Sequence, residues 1–224
     1  MNQMNVWGMT DIGLVRKENQ DAYVTAQHTA SGRTVGVVCD GMGGPAGGRV
    51  ASQIAVSVYL EELEKLLTAD QTPQQLLEAS AQAAALANQA IQAEAERREE
   101  CRNMGTTLVS AISYDGGVVV TNVGDSRAYH ITEDGITRIT KDHSLVESMV
   151  DRGDITAEEA RRHPSRNLIT RALGPDISAD CDGYICPMNA GEYLLLCSDG
   201  LVNTVTAASY THLRAHETSA HLVC

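Results

Sequence analysis

The sequence predicts an α+β fold in one domain, with two helices grouped early and antiparallel strands after them. Two stretches between Gly47 and Arg102 carry apolar residues at helical spacing. From Thr106 onward, short apolar or alternating runs are separated by D-G-G, G-D and E-D-G turns, and consecutive short strands joined by tight turns imply antiparallel pairing. The 224-residue chain is long enough for one proper core, and nothing in it marks a second.

In chain order, residues 5–13 alternate loosely and read as a first strand with Trp7 half buried, followed by a polar loop over 14–21 and the apolar run Ala22-Tyr23-Val24. Val35, Val37, Val38 and Cys39 form a run apolar on both faces, which suits a strand covered on both sides. That run stops on Asp40 and turns through Gly41, Gly43 and Gly44. Val50, Ile54 and Val58 give a helix over 47–67. Thr72 as N-cap with Pro73 at the first helical position starts a second, which runs through Leu76, Ala83 and Ile91 to a solvated charged end. Strands are expected at 106–114, 117–123, 126–132, 135–140, 181–186 and 192–198. Polar, helical material at 143–152 and 156–162 interrupts them and suits a lid or recognition flap.

Composition excludes several function classes. Hydrophobic residues at 43% and charged residues at 21% fit an ordinary globular domain, and no apolar run reaches the ~20 residues of a spanning helix. A net charge of −12 argues against nucleic acid as a partner, since phosphate backbones are bound through clustered Lys and Arg. The start MNQMNVWGMTDIG has neither a basic region nor an apolar signal core, so a cytoplasmic location with no membrane association is expected. Cys39, Cys101, Cys181, Cys186, Cys197 and Cys224 include no C-x-x-C pair and read as reduced thiols.

The chemistry gathers at strand ends. Three apolar strands run into aspartates followed by a small residue: Asp40-Gly41, Asp125-Ser126 and Asp199-Gly200. Converging carboxylates would raise one another's pKa unless cations neutralised them, and oxygen-only ligation selects Mg²⁺ or Mn²⁺ over zinc. Arg16 is either a surface charge or a guanidinium set to grip a phosphate through two parallel hydrogen bonds. His143, after an aspartate in a loop, reads as structural and not as a proton donor.

R-x-x-N-Q-D at 16–21, D-G-M-G-G at 40–44, G-T-T at 105–107, G-D-S-R at 124–127, D-H-S at 142–144, T-R-A-L-G at 170–174 and S-D-G at 198–200 resemble, in order and spacing, the PPM (type 2C) metal-dependent Ser/Thr protein phosphatases, the bacterial branch most of all. The resemblance implies a four-layer α-β-β-α sandwich with two antiparallel sheets. It also implies hydrolysis of phosphoserine and phosphothreonine on proteins by a metal-activated water, in opposition to a Ser/Thr kinase. Two Mn²⁺ or Mg²⁺ ions would be bound, with a weaker third. Asp40 would bridge the two ions, Gly41 would offer its carbonyl, and Asp199 would hold the second ion. Asp21 and Gln20 would hold metal-bound waters, Asp125 with Asp199 would take the third ion, and Arg16 would bind phosphate.

Some positions depart from the family pattern. Relatives commonly carry His at the Pro45 position, an acidic residue at Arg49 and Glu at Gln20. Family members end on a strand with a further Asp ligand, whereas no Asp follows Asp199 here. The phosphatase domain is therefore expected to span 1–208 with its last strands missing. Residues 209–224 are read as a tail outside the family, a truncated frame joined to unrelated sequence. A phosphoprotein-binding module with an incomplete metal site, and a small-molecule phosphoesterase, are the alternatives.

Overall fold

A computed structural model describes residues 4–14, 16–44 and 46–202. Strands β1 (Asp21–His28), β2 (Arg33–Met42), β3 (Gly105–Thr106), β4 (Leu108–Tyr114), β5 (Gly117–Val123) and β8 (Asp182–Pro187) form one sheet. Strands β6 (Arg127–Ile131), β7 (Ile136–Arg138) and β9 (Tyr193–Cys197) form a second, and every pairing in both is antiparallel. Helices α1 (Gly47–Leu66) and α2 (Pro73–Arg97) lie between β2 and β3 in the chain. The short helices α3 (Leu145–Asp151) and α4 (Ala157–Arg162) interrupt the strands as expected, and α5 (Asp199–Val202) follows β9.

The layering follows from alternation along the strands. Val35, Val37 and Cys39 of β2 pack with Ala55, Tyr59, Leu63, Leu76 and Ile91 of the helix pair. Val38, on the opposite face, packs with Val109, Val120 and, from the second sheet, Ala128 and Leu196. The run apolar on both faces is therefore covered on both. The outer face of the second sheet, with Tyr129, Leu195 and Cys197, receives Leu201 and Val202. Of the expected outer helical layer, only α5 lies among the described residues.

Helix α2 begins as the sequence implies, with Pro73 at its start and a reciprocal capping box between Thr72 and Gln75. Ala79, Ala83, Ala84 and Ala87 are buried, which lets α2 approach α1 closely. Arg33 pins this helix pair to the sheet. At 2% exposure it donates to the carbonyls of Thr68, Ala69 and Gln71 in the α1–α2 connection and to Ser113 in β4, at 2.9–3.1 Å.

Three expectations are corrected. Residues 5–13 form no strand; they dock through Tyr23 Oη donating to the Gly8 carbonyl and Asn19 Nδ2 donating to Thr10 Oγ1, with Trp7 43% exposed. The first strand is β1 instead, a full-length partner of β2. Strand β2 does not stop on Asp40, because Gly41 and Met42 continue in register with Thr106 and Gly105. Nor do all consecutive strands pair: residues 124–126 carry the chain from the first sheet to the second. The expected boundary at residue 208 lies outside the described residues, as do Pro45 and Cys224; the other five cysteines are free thiols.

Candidate metal and phosphate site

Asp40 and Asp21 face each other as register partners on β2 and β1. Asp125 stands where the chain crosses between sheets, and Asp199 follows β9 of the second sheet. The site is thus where one end of each sheet meets the other. All four aspartates are partly buried, and they act on one another.

Burial pushes the Asp40 carboxyl up to about 9, and the charges of Asp21, Asp199 and Asp125 add to it. Asp125 is pushed up to about 7 by burial, then by Asp199 and Asp142. Burial also raises Asp21, against the hydrogen bonds of Ser198 and Asp40 and the charge of Arg16. The cluster expected from the strand ends is therefore present, with Asp21 as a fourth member. Its electrostatics also carry a pH dependence. Between about pH 4 and pH 9 the folded, metal-free protein holds a proton on Asp40 that the unfolded chain has released, so its stability falls as pH rises through that window. With a chelator present, Asp40 alone should lower the melting temperature by about 3–6 °C per pH unit between pH 7 and 8, from ~1.4 kcal/mol per proton per unit, and the drop should be steeper between pH 5 and 7, where Asp125 also holds a proton. A flat profile from differential scanning calorimetry contradicts the cluster.

The backbone around Asp40 is held by residues whose roles the sequence did not reveal. Thr107 Oγ1 accepts from the Asp40 amide at 2.9 Å and shares a 2.7 Å hydrogen bond with Ser126 Oγ. The Asp40 carbonyl accepts from the Thr107 amide and from Thr106 Oγ1, both at 2.9 Å. Ser198 Oγ donates to Asp21 Oδ2 at 2.9 Å. The only signal for these hydroxyls was their place inside G-T-T, G-D-S-R and S-D-G. Gly41 is needed for close approach: a Cβ there would lie 2.0 Å from the Gly48 carbonyl oxygen at the start of α1. Gln20 donates from Nε2 to the Gly44 carbonyl at 2.8 Å, while its own carbonyl accepts from Ser52 Oγ and the Gly41 amide.

Arg16 lies exposed on the loop before β1, where its charge reaches Asp21. Arg49 is exposed on the first turn of α1. Arg127 grips the buried Asp142 with Nε and Nη2 at 2.6–3.1 Å, bracing the segment that follows Asp125. Among the described residues no three His, Cys, Asp or Glu side chains form a ready-made metal cage. The donor set nonetheless fits a hard divalent cation: carboxylates gathered at the cost of ionisation, as at Asp40 and Asp125, are what such an ion neutralises.

A family model described as protein phosphatase 2C matches residues 15–222. The chain belongs to the protein phosphatase 2C family. Within this family it is 38% identical over 202 residues to the serine/threonine phosphatase stp of Listeria innocua, covering 89% of this chain and 78% of that one. It is 35% identical over 205 residues to protein phosphatase PhpP of Streptococcus pneumoniae, covering 92% and 82%. The solved structure of serine/threonine phosphatase Stp1 from Staphylococcus aureus superposes with a TM-score of 0.83 at 34% identity, covering 98% of this chain and 88% of that one. A further neighbour is the catalytic domain of PstP in complex with two manganese ions, with a TM-score of 0.74 at 33% identity over 93% and 83%. The protein phosphatase 2C fold thus accounts for the helix pair and both antiparallel sheets.

Proposed function

We propose that this chain removes phosphate from phosphoserine and phosphothreonine of proteins, using two Mn²⁺ or Mg²⁺ ions and a weaker third, in opposition to a Ser/Thr kinase in the cytoplasm. The carrying observation is the four-aspartate cluster around Asp40, in which burial and like charge raise the carboxyls of Asp40, Asp125 and Asp21. Asp40 would bridge the ion pair, Gly41 would offer its carbonyl, Asp21 would act through bound water, Asp199 would complete the second ion, and Asp125 with Asp199 would take the third. When bound, the cations supply Lewis acidity to the phosphoryl oxygens and lower the pKa of water toward neutrality.

The protein's own part is orientation and charge. Thr106 and Thr107 fix the Asp40 main chain, and Ser198 fixes the Asp21 carboxyl. Arg16, exposed beside Asp21, would hold two phosphate oxygens in a fork and balance charge as the phosphoryl group departs. Among the described residues no helix is long and apolar enough to cross a membrane.

Release of phosphate from a phosphothreonine peptide, dependent on Mn²⁺ and exceeding that from a nucleotide, supports this reading. Preference for the nucleotide favours a small-molecule phosphoesterase. Tight phosphopeptide binding without turnover favours the binding module. Arg16→Ala should lower kcat/KM on the phosphopeptide about 10–150-fold, the equivalent of a charged hydrogen bond worth ~1.5–3 kcal/mol, and leave Mn²⁺ binding by calorimetry nearly unchanged. Full activity in that variant overturns the role of Arg16.

A further inference from the structure

The structure assigns His143 and Asp182 a positioning role: together they clamp the Gly124 peptide and so aim Asp125 into the carboxylate cluster. The inference rests on the reading of Asp125 as a metal ligand given above.

Gly124 follows β5 with a φ of +103°, and a Cβ there would lie 2.6 Å from Thr107 Cγ2, so a glycine is required. Both of its polar groups go to one residue. Its amide donates to His143 Nδ1 at 3.0 Å, and its carbonyl accepts from the His143 amide at 2.9 Å. A second donor to that carbonyl is Asn122 Nδ2 at 3.3 Å. A ring nitrogen that accepts carries no proton, so the neutral imidazole holds its proton on Nε2.

Asp182 enforces that tautomer. His143 Nε2 lies 3.2 Å from Asp182 Oδ2, and the other carboxylate oxygen accepts from Arg171 Nη1 at 2.9 Å. Arg171 Nη1 also stands 3.1 Å from Nε2. The guanidinium nitrogen is a donor only, so its two hydrogens serve Asp182 Oδ1 and the Asp180 carbonyl at 3.1 Å, and the Nε2–H serves Asp182 Oδ2. Without Asp182, the alternative tautomer would set an Nδ1–H against the Gly124 amide, donor against donor. The His143 side chain is 7% exposed, which keeps water from substituting for the clamp.

Three replacements of His143 separate positioning from bulk. Asn places an acceptor near the site of Nδ1, Gln reaches only toward Nε2, and Ala does neither. Deuterium exchange of the Gly124 amide in the metal-free protein reads the clamp directly, and calorimetric titration with Mn²⁺ reads its consequence. His143→Asn should keep exchange and Mn²⁺ affinity within about 3-fold of the parent. His143→Gln and His143→Ala should speed exchange about tenfold and weaken Mn²⁺ binding about 10–100-fold. Asp182→Asn should shift the ¹⁵N signals of the ring toward a tautomer mixture. If Ala fails to fold, the Asn and Gln pair still decides. Equal behaviour of Asn and Gln overturns the clamp, as does an unchanged ring spectrum in Asp182→Asn. Asp125→Asn serves as the reference: if it leaves Mn²⁺ binding unchanged while the exchange pattern holds, the ligand reading of Asp125 falls and the clamp stands. If it weakens Mn²⁺ binding while Gln matches Asn, the clamp falls and the ligand reading stands.

Discussion

Asp40→Asn is expected to lower Mn²⁺-dependent phosphopeptide turnover by about 10³-fold or more, since it removes the charge proposed to bridge two cations. The same substitution should not harm the fold. The bonds from Thr106 and Thr107 go to the Asp40 main chain, which Asn retains, and the amide resembles the protonated carboxyl present without metal. With a chelator at pH 8 the variant should therefore melt above the parent, because the parent must keep a carboxyl pushed up to about 9 among three like charges. Lost turnover with raised metal-free stability separates a functional charge cluster from a structural one. A variant that loses activity and melts lower places Asp40 in the fold's support instead, and one that keeps full activity removes it from the site.

Arg33→Ala is expected to cost about 4 kcal/mol or more, a large part of the ~5–15 kcal/mol of a typical domain. The side chain is 2% exposed and leaves the carbonyls of Thr68, Ala69, Gln71 and Ser113 without their donor when removed. Each buried acceptor left unpaired costs roughly 1–3 kcal/mol, moderated where the connection can open to water. Arg33→Lys should recover little, because an ammonium has three donors and cannot span four carbonyls as the planar fork does. Urea unfolding measures the loss, and a change within about 1 kcal/mol would show that the α1–α2 connection holds itself.

Local order was the legible part of the fold. Strand β5 and the start of α2 were plain because a valine-rich run and a Thr-Pro cap carry their own signal: Val118 to Val123 sits between a D-G-G turn and a G-D turn, and Thr72 with Gln75 needs no tertiary partner. Strand β1 was not, since Asp21, Thr25 and Gln27 look like a loop until β2 pairs with them. Residues 5–13 show the converse, an alternating pattern without a ladder. In the site, Asp40, Asp125 and Asp199 stand out because a carboxylate after a valine- or leucine-rich strand is conspicuous, whereas Asp21 follows no such strand, is marked only by the R-x-x-N-Q-D resemblance, and meets Asp40 through register. Thr107, Ser126 and Ser198 are hydroxyls of a type found anywhere, and only the folded chain shows them bonded to the aspartates and to each other. Arg33 carries no local signal in S-G-R-T, because nothing near it in the chain tells which carbonyls it will meet.

Anomalous scattering at the manganese edge, from crystals of the full chain soaked in Mn²⁺, reads whether the cluster at Asp40 is a two-ion centre. Two peaks on either side of the Asp40 carboxylate, the second also reached by Asp199, are predicted. No manganese within bonding distance of Asp40 would contradict a two-ion centre there.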